Sequence, residues 1–264
     1  MAILGKTGLK VSRLGAGLYE IGLLTDVAAA GRLLNTALDG GINFLDTAAC
    51  YDNSEEWIGR TISHRRQEYI LATKAGHVTG GYDGQEWTAK TILDSIERSL
   101  QRMRTNYLDL VQLHSCGVDI LERGEAVQTL LEAKRAGKTR YIGYSGDSAA
   151  ALYAVECGDF DTLQISVSVA DQEALERILP LALARSMGVI AKRPLANVAW
   201  HNGNRSPDDF YGRVYWERLQ KVKYPFLDKD LKATVATALR FTLSVPGVHT
   251  AIVGTTKPER WKDN

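Results

Sequence analysis

The feature that most restricts the fold is an alternation repeated eight times along the chain. Each time, a short apolar run closes on a small or polar residue, and a segment with helical periodicity follows. The strand-like runs are VSRLGAGL (11–18), INFLDTA (42–48), YILATKAG (69–76), LDLVQLHS (108–115), TRYIGYSG (139–146), DTLQISVS (161–168), GVIAKRPL (188–195) and TAIVGTT (250–256). Between them, DVAAAGRLLNTALDGG runs to a glycine stop and TAKTILDSIERSLQRM sets Ile92, Ile96 and Leu100 on one face. GEAVQTLLEAKRAGK, SAAALYAVECG, QEALERILPLALARSMG and LKATVATALRFTLSVPG continue the pattern. Eight such units in 264 residues are the format of an α/β fold closed as a (β/α)8 TIM barrel, one domain over 1–264. An open doubly wound sheet shares the alternation and is the second reading. The segment 197–230 is longer than an ordinary strand–helix loop and is expected to sit over one mouth of the barrel.

Bulk properties narrow the function. A formal net charge of +1 gives no reason to expect a nucleic acid or an anionic membrane as partner. No apolar run approaches the roughly 20 residues that a bilayer requires. The opening MAILGKTGLKVSRLG lacks the long apolar stretch of a secretory leader. Three widely spaced cysteines (Cys50, Cys116 and Cys157) argue against a disulfide framework, and no Cys/His cluster has metal-ligand spacing. A metal-free, cytoplasmic protein is expected.

In such barrels the chemistry sits at the C-terminal ends of the strands. The second barrel strand ends near Asp46, with Tyr51 just beyond. The third ends near Lys74, the fourth near His114 and the fifth near Ser145, while the seventh carries Lys192 and Arg193. Taken singly, each residue has an ordinary structural role: Asp46 as a cap, Lys74 snorkelling to water, Tyr51 on the surface, His114 in the core. Taken together at one face, they define a chemistry. A tyrosine of pKa about 10 is drawn down by a neighbouring ammonium, a carboxylate keeps that ammonium charged, and a histidine orients a carbonyl. Such a tyrosine donates a proton to a carbonyl becoming an alkoxide, provided that a hydride comes from elsewhere.

These residues sit in motifs that resemble the aldo-keto reductase family. GINFLDTAACYDNSEEWIG resembles its second-strand signature, YILATKAG its third strand and TNYLDLVQLHS its fourth. GKTGLKVSRLGAG resembles its N-terminal hairpin and first strand, and PGVHTAIVGTTKPERWKDN its last strand and cofactor-binding turn. The resemblance runs in order along essentially the whole chain. It implies a catalytic tetrad at Asp46, Tyr51, Lys74 and His114, with Tyr51 as general acid, Lys74 and Asp46 as its tuning pair, and His114 as the carbonyl donor. It also implies a nicotinamide dinucleotide held without a Rossmann domain, and Gly15, Gly17 and Gly22 indeed lack G-x-G-x-x-G spacing.

On the cofactor side the implied residues are Gly17 and Tyr19 after the first strand, and Ser145, Gly146 and Gln164 at the carboxamide positions. Lys192 and Arg193 fall at the nicotinamide-stacking position, Pro194 and Leu195 beside the pyrophosphate, and Gly254 and Thr255 in the final turn. Thr256, Lys257 and Arg260 would hold the adenosine 2′-phosphate, which favours NADP over NAD, and Asn264 the adenine. Thr256 and Glu259 have capping-box spacing, and Pro258 suits a first helical turn that presents free N–H groups to an anion.

Three departures from the family pattern stand out. Gly146 replaces the usual Asn, Lys192 replaces the aromatic that stacks on nicotinamide (with Arg193 as a flat substitute), and the chain stops at Asn264 inside the expected last helix. Partners implied are a small-molecule carbonyl or alcohol, with no reading of protein partners. Tyr19, Trp87, Trp200, Tyr211, Tyr215 and Trp216 are candidate substrate contacts, and Cys50 is expected to be a buried filler. Two other readings stay open: a Schiff-base lyase with Lys74 as nucleophile, and a non-catalytic NADP-sensing subunit.

Overall fold

A computed structural model describes residues 1–263, so the adenine-binding expectation for Asn264 lies outside the described residues. A short hairpin, β1 (Ala2–Ile3) and β2 (Lys10–Val11), precedes the barrel strands β3 (Leu14–Gly17), β4 (Phe44–Asp46), β5 (Ile70–Ala75) and β6 (Leu108–His114). These continue as β7 (Thr139–Ser145), β8 (Thr162–Ser166), β9 (Gly188–Lys192) and β10 (Val248–Val253). All eight pair in parallel, β10 returns to β3, and the sheet closes into a barrel. The helices are α1 (Tyr19–Gly22), α2 (Val27–Asp39), α3 (Ser54–Thr61), α4 (Ala89–Arg102), α5 (Val118–Arg123) and α6 (Glu125–Arg135). The second half adds α7 (Ser148–Cys157), α8 (Ile178–Ala184), α9 (Phe210–Val222), α10 (Leu231–Ser244) and α11 (Arg260–Asp263).

Local chemistry sets the helix ends. The Asp26 carboxylate accepts the Ala28 N–H at the start of α2, and the Thr88 hydroxyl accepts the Thr91 N–H at the start of α4. Beyond α2 the chain turns through Gly41 at φ +86°, a conformation that glycine adopts without a Cβ penalty. Ile92 and Ile96 of α4 are fully buried, and Leu100 is packed partly against them, on the face that the sequence spacing marks out.

Strand register then sorts the side chains. Leu45, Leu71, Val111, Leu113, Ile142 and Leu163 pack in one core with helix residues such as Leu33, Leu34, Ile92 and Leu130. The alternate positions Phe44, Ile70, Ala72, Leu110 and Ile190 form a second core inside the barrel, plugged from below by Leu4, Leu9 and Val11 of the hairpin region. With a side-chain period of two, the next inward positions along those strands are Asp46, Lys74, Gln112, His114 and Lys192. Ser145 and Gln164 are their registered neighbours, since His114 pairs with Ser145 and Ser145 with Gln164. The polar residues at the mouth are therefore the upper layers of the same interior that is apolar below.

Two expectations are corrected here. The segment 197–230 is not a loop: it contains a 3-10 stretch (Ala196–Asn202), the 13-residue α9 and a turn at Pro225–Asp228. Tyr215 and Leu219, one helical turn apart on α9, bury themselves against Val169, Ala170, Ala196 and Ala199. The seventh barrel strand ends at Lys192 rather than running to Leu195. Arg193 already has φ +53°, and Ala196, Asn197 and Val198 follow with φ between +44° and +54°. A left-handed β-branched residue such as Val198 costs about 1–2 kcal/mol, which the surrounding packing must hold in place. Among the described residues, no helix is long and apolar enough to cross a membrane, and no group of three or more His, Cys, Asp or Glu residues could hold a metal ion.

Candidate active site

Lys74 is almost wholly buried, and its ammonium donates to Asp46 Oδ2 at 2.6 Å and to the Thr47 carbonyl at 2.8 Å. Burial alone would push its pKa down, but Asp46 and Tyr51 beside it raise it above the ordinary lysine range. The Lys74 Nζ lies 4.9 Å from the centre of the Tyr51 ring. Tyr51 stands edge-on to His114 at 5.8 Å and to Tyr19 at 5.2 Å. The structure thus brings Asp46, Tyr51, Lys74 and His114 together at one end of the barrel.

The electrostatics depart from expectation at Tyr51. Burial raises its phenol, Lys74 draws it down by less, and the group stands above the ordinary tyrosine value. The phenol is therefore a held proton at neutral pH, not an acidified one. His114 is driven the other way, to about 2, by burial and by the positive charges of Lys74, Lys192 and Arg193. Its imidazole is neutral and can give or take one hydrogen bond on each nitrogen.

That depressed value has a consequence for stability. The unfolded chain binds a proton at a histidine of pKa about 6.5, while the folded protein does not. Stability from this group is complete well above pH 6.5 and falls with acid, by about 3 kcal/mol on reaching pH 4.5. Urea midpoints measured across that window should fall less steeply for His114→Asn, and equal slopes would refute the assignment.

A continuous set of hydrogen bonds links the mouth residues. Ser145 Oγ donates to Gln164 Oε1 at 2.7 Å, and Gln164 Nε2 donates to Asp46 Oδ1 at 2.8 Å. Gln112 Nε2 approaches the same oxygen at 3.3 Å. Sequence reading missed Gln112, although the alternation of Leu108, Leu110, Gln112 and His114 already turns it inward. It also missed Asp147, which pairs with Lys192 at 3.0 Å and with Arg193 at 3.4 Å. Burial, only partly offset by Asp147, lowers Lys192 to about 8. Arg193 also donates to Ser166 Oγ at 2.8 Å, and its guanidinium lies 3.7 Å from the Tyr211 ring centre. The flat group expected to stack on a nicotinamide therefore already has Tyr211 against it. Pro194 and Leu195 follow in the irregular turn, with the Pro194 carbonyl 3.4 Å from the Thr242 hydroxyl.

Gly146 replaces the family asparagine for a steric reason: a Cβ there would collide with the phenol ring of Tyr144, whose hydroxyl donates to the Cys116 carbonyl. At the far side of the mouth, Gly17 lies over the Gly254 backbone with room for ordinary contact, while a Cβ on Gly254 would collide with the Glu20 carboxylate. The capping expectation moves by one residue. Thr255 Oγ1, not Thr256, accepts an N–H, that of Lys257 at 3.1 Å. α11 is described over only four residues, so the anion-attracting groups here are the exposed Lys257 and Arg260 rather than a helix dipole. Cys50 is half-buried and touches His114, so it is more than filler.

The model of the Aldo/keto reductase family matches residues 13–264. The chain belongs to the aldo-keto reductase family. Among its relatives, the "Uncharacterized oxidoreductase YqkF" of Bacillus subtilis is 30% identical over 99% of this chain and 88% of its own length. The "NADH-specific methylglyoxal reductase" of Escherichia coli is 27% identical over 99% of this chain and 91% of its own. Among solved structures, the holo form of aldo-keto reductase AKR11C1 from Bacillus halodurans superposes with a TM-score of 0.83 at 28% identity. That match covers 99% of this chain and 88% of that one. This aldo-keto reductase is accordingly an NAD(P)-dependent oxidoreductase, and small-molecule carbonyls fit its family.

Proposed function

We propose that the enzyme reduces an aldehyde or ketone to an alcohol, reversibly, with Tyr51 as proton donor and NADPH preferred over NADH. The observation that carries this reading is the buried Lys74–Asp46 ion pair, 2.6 Å long, set beside the Tyr51 ring. As the carbonyl oxygen gains charge, the Tyr51 hydroxyl delivers its proton. The ammonium of Lys74 then stabilises the phenolate left behind, and Asp46 keeps that ammonium in place. Neutral His114 hydrogen-bonds the carbonyl oxygen and so fixes its direction. A reduced nicotinamide, when bound, supplies the hydride. The paired, raised ammonium of Lys74 speaks against a Schiff-base nucleophile, which must be an uncharged amine.

The residues present suit a dinucleotide. Lys192 and Arg193 share one carboxylate, Asp147, which leaves unbalanced positive charge for a diphosphate. Gly17, at ordinary contact distance from the backbone of Val253 and Gly254, keeps side-chain bulk away from the last turn. Ser145 and Gln164 form an amide–hydroxyl pair suited to a carboxamide. Lys257 and Arg260 form no ion pair among the described residues and would meet the additional phosphate of NADP. With an activated aromatic aldehyde, the wild type should oxidise NADPH at a lower KM than NADH. The double variant Lys257→Ala/Arg260→Ala should raise the KM for NADPH about tenfold or more, by loss of two charge-assisted contacts, and barely change that for NADH. Equal KM values for both nucleotides in the wild type would refute the NADP preference.

A further inference from the structure

We propose that Cys50 is a positioning residue whose S–H fixes the tautomer of His114, leaving the ring proton on Nε2. The inference rests on the reading of His114 as the group that hydrogen-bonds the carbonyl.

Cys50 Sγ lies 3.3 Å from His114 Nδ1, within hydrogen-bonding reach for sulfur. A neutral imidazole has one N–H and one bare nitrogen, so the partner of Nδ1 decides which nitrogen keeps the proton. Two arrangements are conceivable: Nδ1–H donating to sulfur, or S–H donating to Nδ1. A bare imidazole nitrogen is a stronger acceptor than a thiol sulfur, which is only a weak one, so S–H donating to Nδ1 is the better bond of the two. Burial holds the thiol above its ordinary value and keeps the hydrogen on sulfur, while His114 stays uncharged. A thiolate–imidazolium pair would oppose both tendencies. With Nδ1 occupied as an acceptor, the proton sits on Nε2, on the opposite side of the ring.

The turn that carries the thiol is pinned. Ala49 N–H donates to the Lys74 carbonyl at 3.2 Å, Tyr51 N–H to the Ala48 carbonyl at 3.0 Å, and Ser54 N–H to the Tyr51 carbonyl at 2.8 Å. The same turn therefore presents the Tyr51 phenol and sets the proton on its neighbour. His77 stands edge-on to the His114 ring at 5.2 Å.

The test is ¹⁵N NMR of the imidazole in the nucleotide-free enzyme, with the His114 signals assigned by their loss in His114→Asn. The wild type should show a protonated Nε2 and a bare, hydrogen-bonded Nδ1. Cys50→Ala should shift the Nδ1 resonance toward that of an unbonded nitrogen, and Cys50→Ser, which keeps a donor, should restore it. In parallel, kcat/KM should fall about three- to tenfold in Cys50→Ala, the value of one neutral hydrogen bond, and recover in Cys50→Ser. A proton on Nδ1 in the wild type, or an Nδ1 resonance unmoved in Cys50→Ala, overturns the proposal. Because the spectrum needs neither cofactor nor carbonyl, it stands apart from the reductase reading. An enzyme with the expected tautomer and no turnover would count against that reading alone.

Discussion

Tyr51→Phe should lose turnover by about 10²- to 10⁴-fold, the usual contribution of a positioned general acid, while retaining its fold and its nucleotide binding. The substitution removes one hydroxyl and leaves a ring that still fills the space between Tyr19 and His114. The Lys74–Asp46 pair has its own partners in the Thr47 carbonyl and in Gln164, so it does not need the phenol to stay in place. Two measurements check this: NADPH consumption with an activated aromatic aldehyde, and nucleotide affinity from the quenching of protein fluorescence. A variant that keeps more than a tenth of the wild-type rate would remove Tyr51 from the role of donor. The pH dependence follows from the same group. With the phenol held above its ordinary value, reduction should be level through neutral pH and decline only in the alkaline range. Alcohol oxidation, which needs the phenolate, should rise with pH instead.

Lys74→Met should be the most destabilising single change in the mouth, costing about 3–5 kcal/mol. It strands the buried carboxylate of Asp46 with only the neutral donors Gln164 and Gln112. Adding Asp46→Asn to the same chain removes the stranded charge and should recover a good part of the loss, because a neutral amide tolerates that surrounding far better. Urea unfolding of wild type, both single variants and the double variant gives the coupling directly. A loss under about 1 kcal/mol in Lys74→Met would mean that water reaches the pair and that the site is wetter than its packing implies.

The barrel was legible because its signal is repeated: eight strand–helix units leave a closed barrel or an open doubly wound sheet, and the pairing of β10 with β3 decides between them. The tetrad was legible for a related reason, since polar residues at the ends of buried strands violate the apolar pattern and so draw the eye. What was less legible lay in pairs distant in sequence. Asp147 follows the fifth strand of the barrel and meets Lys192 of the seventh only after closure. α9 escaped notice because its buried face is narrow, with Tyr215 and Leu219 spaced among charged residues. The balance at Tyr51 was out of reach for a different reason: residue identities supply the sign of the Lys74 effect, but only packing supplies the size of the opposing burial.

The interior of the barrel is one stack of side chains, apolar at the base and ionisable at the rim, all on the same parity of each strand. A slip of one residue in any strand would turn its rim group out toward the helices and bring an outer apolar residue in. Insertions are thus unequal in effect. One residue added within β5 between Ile70 and Lys74 would leave the two on opposite faces, so that only one of them could stay inside, whereas several residues added to the loop between β5 and α4 would leave the inward set intact. Drift in this chain can lengthen its loops freely and still keep its chemistry, but it cannot shift a strand and keep either the chemistry or the core.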